Sequence, residues 1–270
     1  MNKTGLLLLS AALACGCSSG QRAVSTSETY PKPKGVTRIV QYNVGAFSKE
    51  IGSSIPMVAA MMQELGADAV CLNELDSCNL RHSTDQTKEF AESMGGWNYR
   101  FGRAMPYLEG AYGVGVAVPG RILSSFVIPL PRGNGLEPRA CCVVETREYV
   151  LASTHLDYKD MPSMVAQAEI INEELFARYG DSKKPVILAG DMNSIPGSPV
   201  LEKLSARWEI LSCRKETFSS IRPRECIDYI LKLRNKAVVK LSGTDVPVVF
   251  AGGDVKVASD HLPLFVDIKH

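Results

Sequence analysis

An α/β sandwich, two sheets packed face to face with helices over the outside, is the fold class that this 270-residue sequence predicts. Short strands recur along the whole chain with only a few helices between them, a pattern that suits layered sheets better than a helical bundle. Residues 99–154 read mostly as short strands, with turns at Pro119-Gly120 and at residues 131–135. The run Val186-Ile187-Leu188-Ala189 is apolar without interruption and is bounded by turn formers, as in a strand buried on both faces.

The first twenty residues stand outside this fold. Lys3 is followed by apolar stretches at residues 6–9 and 11–14, too short to span a bilayer and typical of a secretory signal. The end of the stretch, Ala12-Leu13-Ala14-Cys15-Gly16-Cys17, resembles a bacterial lipoprotein box, in which a cysteine after small residues becomes lipid-modified. Residues 1–17 are therefore expected to be a lipoprotein signal ending at Cys17, with Cys15 as the alternative, and the protein to be exported and lipid-anchored in a bacterial cell envelope. Residues 18–35, rich in Ser, Thr, Lys and Pro, are expected to be a flexible tether. Residues 36–270 are of single-domain size and are expected to form one monomeric domain.

Elements follow in order. Residues 36–42 read as a strand, and Ile55, Val58, Met62 and Leu65 recur at helical spacing up to Gly66. Ala69 to Leu72 forms a second buried strand. Ser83 and Gln86 have capping-box spacing and predict a helix running to Met94-Gly95-Gly96. Val165, Ala168, Ile171, Leu175 and Phe176 mark the apolar side of a long helix that Gly180 ends, and a short helix is expected near residues 200–204. From Ile227 to Ile268 strands and loops alternate.

Without Lys3 the formal charge of +1 becomes zero, so no basic surplus advertises a polyanion partner. Export permits disulfides, but no cysteine pair has zinc-knuckle spacing. Cys71 and one of Cys141 and Cys142 read as small core residues, and Cys213 with Cys226 is the expected disulfide.

Polar side chains repeatedly follow the apolar runs. Gly190 lets the chain turn into Asp191-Met192-Asn193, whose i,i+2 carboxylate and amide point to one side. Asn43, Glu74, His155, Asp228, and Asp260 with His261 occupy similar places at strand ends. Such groups from across a chain can converge on one rim of a sandwich.

From Arg38 to Ile268 these blocks and their order resemble the endonuclease/exonuclease/phosphatase superfamily, which includes deoxyribonuclease I. The resemblance implies a four-layer sandwich, a site at the sheet rim and Mg²⁺ or Mn²⁺ as cofactor. It implies Glu74 as the principal metal carboxylate, with Asn43 and Asp260 on the metal side. It implies Asp191 and Asn193 as the pair handling water and phosphate, His261 as the catalytic histidine oriented by Asp228, and His155 as a second histidine. Tyr112, Glu137 and Arg139 fall where substrate-side residues often lie, and Arg81 or Arg139 could fork onto a phosphate. Two positions depart from the pattern: Val114 stands where an amide is usual, and Met164 where an arginine is usual.

The chemistry explains the set. A hard divalent cation held by few carboxylates keeps positions open for phosphate oxygens, while a histidine held by a carboxylate serves as base or phosphate clamp. Either Asp191 or His261 could take the proton of the attacking water. The expected function is a metal-dependent phosphodiesterase or nuclease acting on nucleic acid or on a phospholipid head group. Phosphomonoesterase or sphingomyelinase-like activity is the alternative, and a non-catalytic binding lipoprotein a further one.

Overall fold

The computed structural model describes residues 29–270 apart from Leu136. The signal peptide, Cys15, Cys17 and the tether as far as residue 28 lie outside the described residues. The end of the tether is fixed: Tyr30 packs edge-on against Phe265, and Arg38 donates to the carbonyls of Tyr30 and Pro31.

The chain runs β1 (Thr37–Asn43), α1 (Ile55–Leu65), β2 (Ala69–Ser77), α2 (Gln86–Ser93), β3 (Asn98–Tyr107), β4 (Gly110–Val118), β5 (Ser124–Leu130), β6 (Arg139–Glu145) and β7 (Val150–His155). It continues with α3 (Met161–Tyr179), β8 (Val186–Asp191), α4 (Pro199–Ser205), β9 (Trp208–Ile210), β10 (Asp228–Leu233), β11 (Lys240–Asp245), α5 (Val255–Ala258) and β12 (Leu264–Lys269). One sheet has the order β11-β12-β1-β2-β4-β3, the other β5-β6-β7-β8-β10-β9. The predicted sandwich of two mixed sheets flanked by helices is what the chain adopts.

Each sheet contains one parallel pair, β1 with β2 and β7 with β8, among antiparallel neighbours. Register therefore decides where the polar strand ends fall. Asn43 pairs with Asn73, His155 with Asp191, and Asp191 with Asp228. Along β8, Val186 and Leu188 face α3 and α4, while Ile187 and Ala189 face the first sheet. That alternation carries Asp191 inward to the seam between the sheets. Cys141 and Cys142 are both buried, Cys141 in the apolar layer of the second sheet's helix side and Cys142 against β3, because neighbours in a strand face opposite ways.

Several local expectations need correction. Asp85, not Ser83, caps α2, accepting from the amides of Thr87 and Lys88. A carboxylate beside the first amides satisfies two of them, and Gln86 becomes the first helical residue. Cys213 and Cys226 are both free thiols, as are the four other cysteines described. Gly190 lies within β8, not at a turn: a Cβ there would sit 2.0 Å from the Thr154 carbonyl oxygen. The position needs glycine for close approach of β7 and β8. The left-handed turn comes later, at Asn193, with φ 47°.

Gly190→Ala is expected to lower stability by about 1–3 kcal/mol, since backbone must move to admit the methyl group. Gly120→Ala, where nothing lies within 4 Å, should change it by less than about 0.5 kcal/mol. Urea unfolding of both variants checks the contrast.

Candidate active site

A cavity of about 570 Å³ opens where the polar strand ends of the two sheets meet. Glu74, His155, Asp191, Asn193, Asp260 and His261 line it together with Tyr112, Glu137 and Arg139. Asn43 and Asp228 lie beneath, fully buried, and hold the lining residues in place.

Asp228 begins β10, and its Oδ2 accepts from His261 Nδ1 at 2.9 Å and from Thr217 Oγ1 at 2.7 Å. Its Oδ1 lies 3.3 Å from Gln41 Nε2, which donates to it across the sheet interface. His261 precedes β12, whose antiparallel pairing with β1 brings the imidazole beside Asn43. Phe218 packs on the other side of the ring, centroids 4.8 Å apart.

Glu74 does not end its strand. It sits at an irregularity in the β2–β4 pairing between Leu72 and Leu75, with φ 57°, a left-handed value uncommon for a side-chain-bearing residue. The bulge turns its carboxylate out of the pleat toward the cavity. Asn43 Nδ2 then donates to Glu74 Oε1 and to Asp191 Oδ2, both at 3.1 Å. The Gly45 amide donates to Asn43 Oδ1, which orients the side-chain amide.

These contacts set the protonation states. Burial opposes charge on His261, but Asp228 and then Asp191 outweigh it and push its pKa up to about 10. Burial first, then Asp228, raise Asp191 to about 7, with His261 pulling the other way. His155 is held well below the usual histidine range by burial and by the charges of Arg139 and His261. It is neutral, its Nε2 3.6 Å from Asp191 Oδ2. The two histidines of one cavity thus carry different charge.

Donor chemistry narrows where a cation would fit. Ligand atoms of Asp191, Asp228 and His261 lie within 4.8 Å of one another, but both Asp228 oxygens already accept hydrogen bonds, and a protonated His261 has no lone pair to offer. Glu74, which lines the cavity with Asp260 and accepts from the Asn43 side-chain amide, offers the carboxylate oxygens that would suit a hard divalent ion. Lys49 supplies the only ammonium lining this cavity, and Glu74 is among the charges that act on it.

The expected roles fare differently in the geometry. Asp260 lines the same cavity as Glu74, and its Oδ2 is paired with Lys49 Nζ at 2.9 Å, because the loop after the first strand brings Lys49 against it. Arg81 is not free to fork onto phosphate: Asp76 takes its Nε and Nη2 at 2.6 and 2.9 Å, and the side chain lines a neighbouring cleft. Asn193 Nδ2 donates to the Leu156 carbonyl, leaving its second N–H for the cavity. Val114 and Met164 are buried in the core, and neither lines the cavity.

Residues absent from the sequence reading include Gln41 and Asn73. Asn73 Oδ1 accepts from Gln41 Nε2 at 2.5 Å and from the Asp191 amide at 2.9 Å, and its Nδ2 donates to the Thr154 carbonyl at 2.8 Å. The signal was an amide inside an otherwise apolar strand, which must be hydrogen-bonded when buried. Lys49, Tyr158, Phe218 and Glu225, all lining the cavity, lie on loops with no periodicity to mark them.

The profile of the Endonuclease/Exonuclease/phosphatase family matches residues 40–261. A comparison with curated protein sequences finds no match. Among solved structures, an endonuclease/exonuclease/phosphatase from Bacteroides vulgatus is similar at 16% identity and TM-score 0.71, over 87% of this chain and 99% of that one. The mannosyl-6-phosphatase Bt3783 of Bacteroides thetaiotaomicron is similar at 18% identity and TM-score 0.70, over 87% and 100%. D. rerio TDP2, solved with a single-strand DNA product, is similar at 15% identity and TM-score 0.66, over 87% and 99%.

Replacing Asp228 with asparagine removes the carboxylate that most raises His261. The His261 pKa should fall, and imidazole chemical shifts followed by NMR across pH 5–11 in metal-free protein measure it; an unmoved pKa contradicts the assignment.

Proposed function

The chain belongs to the endonuclease/exonuclease/phosphatase family, whose members are phosphoester hydrolases, and from that premise we propose that it hydrolyses a phosphoester bond in a small soluble substrate, using Mg²⁺ or Mn²⁺. The observation that carries this reading is the meeting of Glu74, Asp191 and His261 around the Asn43 amide on the cavity floor.

Charged His261, held through Nδ1 by Asp228, presents Nε2–H as a fixed donor to a phosphate oxygen. A histidine with so high a pKa is a weak proton acceptor at neutral pH. Asp191, poised near neutrality, is the better base for the attacking water. Neutral His155 points Nε2 into the same space, adding a donor that brings no charge. Glu74 would hold the divalent ion, with Asp260 on the same cavity lining. When bound, such an ion neutralises phosphate charge and makes water more acidic.

The charges around the cleft support a small substrate over a polymer. Lys49 is paired with Asp260, Arg81 with Asp76, and Arg139 with Glu137. A strand-tracking groove needs unmatched cations along its length. A nuclease reading draws on Arg222 and Arg224, exposed on the loop that carries Phe218 and Glu225 to the cavity and without ion-pair partners among the described residues.

We also propose export and a lipid anchor at Cys17. The chain enters the domain at Tyr30, beside the start of β1. Asn43 is six residues beyond Thr37, about 20 Å away along the strand. An anchor on that side supports a cavity opening away from the membrane and hence a soluble substrate.

Purified protein with Mg²⁺ or Mn²⁺ is expected to turn over p-nitrophenyl phosphate or bis-p-nitrophenyl phosphate, to lose activity in EDTA and to regain it with metal. Glu74→Gln, Asp191→Asn and His261→Ala should each lower kcat by on the order of 10³-fold, with folding checked by circular dichroism; full activity in all three would sink the reading. Plasmid cleavage outrunning ester turnover, and falling steeply with salt, would favour the nuclease. Cys17→Ser should abolish metabolic labelling with radioactive palmitate; retained label would move the anchor to Cys15.

A further inference from the structure

We propose that the end of the molecule opposite the cavity is a basic docking face for an anionic phospholipid bilayer, the membrane that would carry the anchor at Cys17. The inference rests on the lipid-anchor reading and names how the anchored domain sits.

That end is where β1, β2, β7 and β8 begin and where β10 and β12 finish. Lys34, Arg121, Arg147, Lys183, Lys240 and Lys269 are exposed there, and none has an ion-pair partner among the described residues. The acids of the same connections are mostly matched: Asp68 pairs with Lys32 and Asp181 with Lys236. Glu148, on the turn that carries Arg147, is exposed and opposes the trend.

The cations belong to one surface, because contacts tie the connections together. Lys240 and Lys269 are register partners at the β11–β12 edge. His270 Nε2 lies 3.1 Å from Oγ1 of Thr37, three residues after Lys34, and its ring meets that of Tyr149, two residues after Arg147. The Val150 amide donates to the Pro185 carbonyl, which sets the loop of Lys183 against the same turn. Asn235 donates to the Lys184 carbonyl, and the Leu123 amide to the Glu145 carbonyl, bringing in the β10–β11 connection and the segment of Arg121.

Apolar tips stand among these charges. Val238, between Lys236 and Lys240, is 87% exposed, and Leu123, two residues from Arg121, is 55% exposed. Cations around protruding aliphatic side chains match a bilayer interface, where headgroup phosphates meet the cations and the acyl boundary takes the aliphatic tips. A nucleic acid offers phosphates but no apolar layer for Val238.

Charge asymmetry sets the orientation. The whole chain sums to +1, so a basic far end is balanced by acids elsewhere, Glu74, Glu137, Glu225 and Asp260 at the cavity among them. An anionic surface attracts one end and repels the other. The chain joins the domain at the basic end, where Lys32 donates to the Gly66 carbonyl. The twelve residues from Ser18 to Thr29 reach at most about 40 Å. An anchor therefore keeps the domain close, and screening over about 8 Å means that the face must meet the headgroups for its charge to act.

The test places the full-length protein, expressed with its signal so that the cell processes it, on vesicles of dioleoylphosphatidylcholine alone or mixed equally with dioleoylphosphatidylglycerol. Lysines are acetylated with a water-soluble reagent and read by mass spectrometry. On the anionic vesicles Lys34, Lys183, Lys240 and Lys269 should react about fivefold or more slowly than on the neutral ones. Lys159 and Lys256, on the segments leading from His155 and into His261, should keep their rates, and about 0.5 M NaCl should erase the difference. Lys240→Glu with Lys269→Glu should remove the protection of Lys34 and Lys183, and Arg147→Glu with Lys183→Glu that of Lys240 and Lys269, with circular dichroism confirming the fold. Flotation with both vesicle types but equal rates on them overturns the docking face and leaves the anchor standing. Flotation with the anionic vesicles alone, with the four lysines protected, supports the face and overturns the anchor. Flotation with neither overturns both, and protection of these lysines by plasmid DNA but not by the vesicles overturns the bilayer as the occupant.

Discussion

The side chain of Asn73 is the constraint on which the catalytic end of the molecule depends. It belongs to one sheet, yet its amide accepts from the Asp191 backbone and donates to the Thr154 carbonyl of the other. Gln41 meets the same oxygen and reaches on to Asp228. Two apolar sheet faces can slide over one another at little cost, because hydrophobic contact has no direction. Hydrogen bonds between buried amides do have direction, and breaking one leaves an unpaired group in a dry interface. This seam fixes Asn43 and Glu74, carried by the first sheet, against His155, Asp191 and Asp228, carried by the second.

Register then converts sheet alignment into chemistry. Because β1 and β2 are parallel, as are β7 and β8, both pairs end on the same rim. The antiparallel strand β10 starts where β8 finishes, placing two carboxylates side by side in a buried setting. Their repulsion would be prohibitive without a cation. Charged His261 supplies it, which explains why its protonated form is so strongly favoured and why Asp191 alone is left near neutrality.

The sequence carried the fold class and most of the site because both depend on local pattern. Apolar runs marked the strands, and the polar residue after each run marked the rim. What it did not disclose depends on partners distant along the chain. The pairing of Lys49 with Asp260 appears only in the fold, and Arg81 looked free until Asp76 was seen to hold its fork. Gly190 illustrates a subtler limit: glycine before a polar pair reads as a turn, but here the residue serves the spacing of two strands. Glu74 followed an apolar run as expected, while the bulge that aims it depends on its pairing with β4 and leaves no mark in the local pattern.

The pairing of charges around the cleft also bears on what the enzyme can select. With Lys49, Arg81 and Arg139 each matched by a carboxylate, these three add little long-range attraction for anions, since opposite charges a few ångströms apart largely cancel at a distance. In the proposed reading, affinity for phosphate comes from groups that act only at contact: the His261 and His155 donors and the cation that Glu74 would hold. Contact groups of this kind are satisfied by one phosphate, and nothing in their arrangement rewards a second. Discrimination between phosphate esters therefore falls to whatever touches the alcohol, which at this cavity is a wall of paired charge and aromatic rings, not a basic track.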